Sequence, residues 1–122
     1  MEICKNDGLD AEHKCNGLLR SIDDAFYAIG GKWKLKILVA LGHDNKRFNE
    51  IQRAVKGISA RILSNELKEL ERNGIVKRKV DADAFPVMVI YELTPYSLTL
   101  NDVVNSLSQW GMGHREFVKT AN

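Results

Sequence analysis

Apolar side chains recur at helical spacing along most of the chain, and the period changes once. Leu18, Leu19, Ile22, Ala25, Phe26 and Ile29 mark one face of an amphipathic helix over about 17–29, which Gly30-Gly31 breaks. A second helix follows from Lys32, with Trp33, Ile37, Leu38 and Leu41 inward, and ends near Gly42 before the polar turn HDNKR. Phe48, Ile51 and Val55 stand at i, i+3 and i+7, which predicts a short helix over 48–55. Lys56-Gly57 closes it, with glycine where a left-handed cap is expected. Ser59 is placed to cap the next helix, which runs to Asn73. Two helices joined by a tight glycine turn make a helix-turn-helix.

After Gly74 the period becomes two. Val76 and Val80 alternate with Lys77 and Lys79, and VMVIYEL at 87–93 supplies a second strand after the turn DADAFP. A hairpin directly after a helix-turn-helix is the wing of a winged helix. Thr94-Pro95 opens a last helix, with proline suited to its first turn. The expected fold class is therefore mainly α with a small β-hairpin, a winged helix-turn-helix with flanking N- and C-terminal helices. Residues 1–16 read as a flexible arm and 17–122 as a single domain; the 122-residue chain has room for one real core and is marginal for two.

Leu98, Leu100, Val103, Val104, Leu107 and Trp110 spread apolar character over more than half the circumference of the last helix. One stripe suffices to pack a helix on a small domain, so the breadth calls for a second partner, most simply another copy of the chain. The terminal helices, about 17–29 and 95–118, are the candidate dimer interface, with Leu18, Leu19, Ile22, Phe26, Leu100, Val103, Val104, Leu107 and Trp110 as its contacts.

Charge sharpens the picture. The net charge is only +2, yet residues 32–80 carry 13 basic and 5 acidic side chains, +8, while residues 1–31 and 81–122 each carry −3. Such a footprint suits a polyanion, nucleic acid above all. On a helix turning about 100° per residue, Leu63, Leu67 and Leu70 cluster on one side of GISARILSNELKELERNG. Arg61, Ser64, Asn65, Lys68 and Arg72 cluster opposite, and Glu66, Glu69 and Glu71 fall to the flanks. Arginine can donate two hydrogen bonds to guanine, and asparagine can pair with adenine, so an acid-free arc of this kind matches the base edges of the major groove. Ser59, Arg61, Ser64, Asn65 and Lys68 are the candidate base readers. Lys32, Lys34, Arg47, Arg53, Arg72, Lys77, Arg78 and Lys79 are candidate phosphate contacts, which position a protein without reading sequence.

The chain resembles the HxlR-type transcriptional regulators of bacteria. The matching stretches are IGGKWKLKILVAL (29–41), RFNEIQRAVKGISARILSNELKELERNGIVKR (47–78), IYELTPYSLTL (90–100) and SQWG (108–111), together about three quarters of the chain. The resemblance implies a winged-helix fold, a dimer built from terminal helices and regulation of nearby genes. It places the family's recognition-helix positions on Ser59, Arg61, Ser64, Asn65 and Lys68. Two features depart from the family: Met88 stands where a basic wing residue is usual, with Asp81 and Asp83 nearby, and the cysteines lie earlier than the family's usual position, which falls near Leu19 or Arg20. Some members sense oxidants with that cysteine, which makes Cys15, beside Lys14, the candidate redox thiol here.

Other chemistry finds little purchase. Cys4, His13 and Cys15 fall short of the four ligands of a structural zinc site, so no metal and no cofactor is expected. No HExxH, phosphate-binding glycine loop or GxSxG motif is present, His43 and His114 read as surface residues, and adjacent Asp23 and Asp24 point apart, so no enzyme is expected. Without a membrane-length apolar run or a signal peptide, and with two cysteines, the expected location is the cytoplasm. The expected partners are double-stranded DNA bearing an imperfect palindrome and a second copy of the chain, with the effector unknown and no membrane. The alternative is a winged helix that docks another protein and does not bind specific DNA.

Overall fold

The computed structural model describes residues 9–121. Five helices and one hairpin follow in the order α1 (Leu9–Ile29), α2 (Lys34–His43), α3 (Phe48–Ala54), α4 (Ala60–Arg72), β1 (Val76–Asp81), β2 (Met88–Leu93) and α5 (Asn101–Ala121), with a 3₁₀ segment over Pro95–Leu100 leading into α5. Amphipathic periodicity places α2, α3 and α4 around a common core. Ile37, Ile51, Leu63 and Leu70 are fully buried there, and Ile75 and Val76 seal it beneath the hairpin.

The turn between α3 and α4 depends on Gly57, whose φ of +87° lies in the left-handed region. Ser59 then caps α4, its Oγ accepting a hydrogen bond from the Ile62 amide at 3.1 Å. At Gly30, a Cβ would lie 2.3 Å from the Phe26 carbonyl oxygen, so only glycine lets α1 end there. The hairpin pairs Val76 with Leu93 through to Asp81 with Met88, antiparallel. Lys46 adds a bridge to Tyr91, with both backbone hydrogen bonds made, so the turn after α2 is stitched to the wing.

Two boundaries differ from the sequence expectation. Residues 9–16, expected as flexible arm, form the first turns of α1. Glu12 and Lys14 are good helix formers and nothing before Gly17 breaks the helix; the stretch simply lacks the apolar repeat that marked its continuation. Residues 1–8 of the expected arm, Cys4 among them, lie outside the described residues. The expected helix over 95–118 begins instead as a 3₁₀ segment, because Ser97 Oγ donates to the Thr94 carbonyl at 2.6 Å and Thr99 Oγ1 to that of Tyr96 at 2.8 Å. These i−3 bonds favour the tighter winding.

Candidate nucleic-acid interface

The outer face of α4 is built by its own periodicity. Leu63, Leu67 and Leu70 point into the core, and Arg61, Asn65, Lys68 and Arg72, spaced by four, three and four residues, stay exposed along the opposite side. Ser64 is half-buried at the edge of this face. Ser59 sits at the helix start with its oxygen committed to the cap, which leaves its hydroxyl hydrogen free to donate. The helix N-terminus and the basic side chains together make a surface suited to phosphate and base edges. Apolar protein docking would instead want apolar side chains where Arg61, Asn65 and Lys68 stand.

The phosphate candidates divide. Lys32, Arg47, Arg53, Arg72, Lys77 and Arg78 are exposed. Glu50 accepts from the Arg47 amide at 2.9 Å, which fixes the start of α3 and leaves the guanidinium outside. Lys32 and Lys36 lie over the ring of Trp33, 4.7 and 5.2 Å from its centroid, a cation–π arrangement that holds two charges at the head of α2. Lys79 is engaged by Glu92 at 3.0 Å.

Lys34 departs from the expectation altogether. Its side chain is only 8% exposed, and its ammonium lies 2.6 Å from Glu66 and 2.5 Å from Glu69. It therefore faces the recognition-type helix from within the protomer and has no access to a phosphate. Burial pushes the Lys34 ammonium down, but the two carboxylates outweigh it and hold its pKa above the ordinary value. The same hydrogen bond to Lys34 holds Glu69 below the ordinary carboxylate range. A sequence signal existed for this burial: Lys34 stands at i−3, i−4 and i−7 to Ile37, Leu38 and Leu41, on their inward face.

At the wing tip, Asp81 Oδ1 accepts from the amides of Asp83 and Ala84, at 3.2 and 3.3 Å, while Phe85 is fully exposed. Acid and an apolar ring at the tip leave the basic residues of the hairpin at its base, on β1.

The terminal helices carry the other unpartnered surface. No residue of α5 is buried, and Val103, Leu107 and Trp110 stand exposed along it, as do Leu18, Leu19, Ile22 and Phe26 on α1. Leu100 packs against the protomer's own core, and Val104 is half-buried. The expected interface helix, 95–118, includes the C-terminal half of this surface, but the named contacts stopped at Trp110; beyond it His114 stacks on Trp110 at 4.8 Å and faces Phe117 at 6.5 Å, with Met112 also exposed. Cys15, in the second turn of α1, is disulfide-bonded. Among the described residues, no helix is long and apolar enough to cross a membrane.

Residues 28–119 match the family model described as HxlR-like helix-turn-helix. The HTH-type transcriptional regulator BH0655 of Halalkalibacterium halodurans is 39% identical over 108 residues, covering 84% of this chain and 93% of its own. The HTH-type transcriptional regulator YtcD of Bacillus subtilis is 37% identical over 94 residues, 77% of this chain and 74% of its own. Among solved structures, the reduced form of the redox regulator HypR superposes with a TM-score of 0.75 at 35% identity, covering 82% of this chain and 98% of that one.

Proposed function

The chain belongs to the HxlR-like helix-turn-helix family, and from that premise we propose that it is a sequence-specific regulator of transcription that binds double-stranded DNA in the cytoplasm as a homodimer. One α4 from each protomer enters the major groove, the two about one helical turn of DNA apart, on an imperfect palindrome. Bound near a promoter, the dimer blocks polymerase and represses. Arg61, Asn65 and Lys68 read bases, with Ser59 and Ser64 at the edge of the contact, while Lys32, Arg47, Arg53, Arg72, Lys77 and Arg78 hold phosphate. The observation that carries this reading is the exposed, acid-free outer face of α4, whose flanking Glu66 and Glu69 are turned back onto Lys34.

Fluorescence anisotropy against duplex from upstream of its own gene and against a shuffled duplex tests it. The expected result is tight, salt-sensitive binding that prefers the native sequence; weak, indifferent binding to both counts against it.

The disulfide-bonded state of Cys15, together with the redox regulation named for HypR, favours one addition. We propose that thiol oxidation at Cys15 sets DNA affinity. Reduction with dithiothreitol is expected to shift the dissociation constant of the wild type and leave Cys15→Ser unchanged; equal responses of the two would remove Cys15 from the mechanism.

A further inference from the structure

Lys34, Glu66 and Glu69 form a cluster of three charges on the flank of α4 that turns away from its basic outer face. Glu66 and Glu69 are one helical turn apart on the inner flank of α4, and both reach Lys34 at the first turn of α2. Glu66 Oε2 is buried with the Lys34 ammonium 2.6 Å away as its ion-pair partner, while the side chain as a whole keeps about a fifth of its surface in solvent. Glu69 keeps about half its surface in solvent, at 48%, and Arg72, one turn further along α4, also acts on it electrostatically.

Left alone, these two carboxylates would set negative charge beside a helix surrounded by phosphates. A buried carboxylate without its partner is also costly to the fold. One cation shared between two acids leaves a single residual negative charge, and the more exposed acid has Arg72 beside it.

We propose that Lys34 is a positioning residue for DNA recognition: an internal counter-ion that withdraws Glu66 and Glu69 from the DNA. It touches no phosphate itself. The proposal rests on the DNA-binding reading given above, and it reverses the role that charge alone assigns to this lysine.

The test measures anisotropy of the full chain on the native upstream duplex and on its shuffled counterpart, each over a salt series, with a thermal melt of every variant. Lys34→Met is expected to weaken native-duplex binding about tenfold or more while leaving the slope of log affinity against log salt unchanged, because no phosphate contact is lost. Adding Glu66→Gln and Glu69→Gln to Lys34→Met removes the uncompensated charges and should return affinity to within about threefold of wild type, and Lys34→Arg should retain it. A salt slope shallower by about 1 per protomer, with no recovery in the triple variant, would show that Lys34 grips phosphate and overturn the proposal. Unchanged affinity with a lowered melting temperature would overturn it too, by making the ion pairs structural only.

Should Lys34→Met not fold, Glu69→Gln carries the test, since it keeps the Glu66 pair. Higher affinity on both duplexes supports the proposal, since removing an acid from beside the phosphates acts on any sequence, and unchanged or lower affinity overturns it. A wild type that does not distinguish the two duplexes sinks the DNA-binding reading itself, which separates that failure from failure of the counter-ion role.

Discussion

Raising the salt from about 50 to about 200 mM perturbs the proposed interface by an amount that follows from its charges. Lys34 is committed to Glu66 and Glu69, and Lys79 to Glu92 at 3.0 Å, so neither counts as a phosphate contact. Lys32, Arg47, Arg53, Arg72, Lys77 and Arg78 remain exposed. With about half of these on phosphate in each protomer, a dimer neutralises about six phosphates, and log affinity should fall against log salt with a slope of about −5. A fourfold rise in salt then lowers affinity by roughly a thousandfold or slightly more. Anisotropy of a labelled duplex, titrated at four or five salt concentrations, reads the slope directly. A slope shallower than about −2 would refute the reasoning, since the basic face would be meeting hardly any phosphate. A slope steeper than about −11 would refute a different part of it, since it exceeds what the six exposed side chains of each protomer can supply and would bring Lys34 or Lys79 onto the DNA backbone.

Arg61→Ala should cost about 1–3 kcal/mol on the native duplex and much less on shuffled DNA, with preference relaxed at one base pair; equal losses on both would make Arg61 a phosphate contact only. Gly57→Ala meets no obstruction, because its Cβ would lie 3.9 Å from Trp33, so its cost is the left-handed backbone alone. About 1–2 kcal/mol is expected, a fall of roughly 4–8 °C in Tm by calorimetry; an unchanged Tm would mean that the turn relaxes freely. Leu107→Lys places a charge on the exposed apolar face of α5. Light scattering after size exclusion should then report a monomer, with DNA affinity reduced because one α4 cannot engage two half-sites, and a dimer that persists would move the interface elsewhere.

Much of the fold was legible because its signals are local. The helical repeat of Ile51 and Val55, then of Leu63, Leu67 and Leu70, stops at Gly57 and again at Gly74, and the alternation of the wing begins at once. Ser59 caps α4 as its chemistry suggests. The start of α1 was not legible, since residues 10–16 carry helix-forming side chains without an apolar repeat, and periodicity is blind to such a stretch. The bridge between Lys46 and Tyr91 joins positions distant in sequence and was hidden for that reason.

Lys34 shows how a charge can mislead. Its sign suggested phosphate, while its spacing to Ile37, Leu38 and Leu41 pointed inward. Which of the two dominates depends on whether a partner waits inside, and the acids that decide it lie on α4, after two intervening turns of chain. The outer face of α4 was easier to read, because one helix carries all of it.

Selection of bound sequences from a random duplex library, with the pool sequenced after several rounds, tests the central claim most directly. The account predicts enrichment of one motif made of two inverted half-sites centred about 10 bp apart, and no enrichment when α4 carries Arg61→Ala, Asn65→Ala and Lys68→Ala together. A pool that stays random with the wild-type protein, or one motif enriched equally by both proteins, would contradict recognition by the outer face of α4.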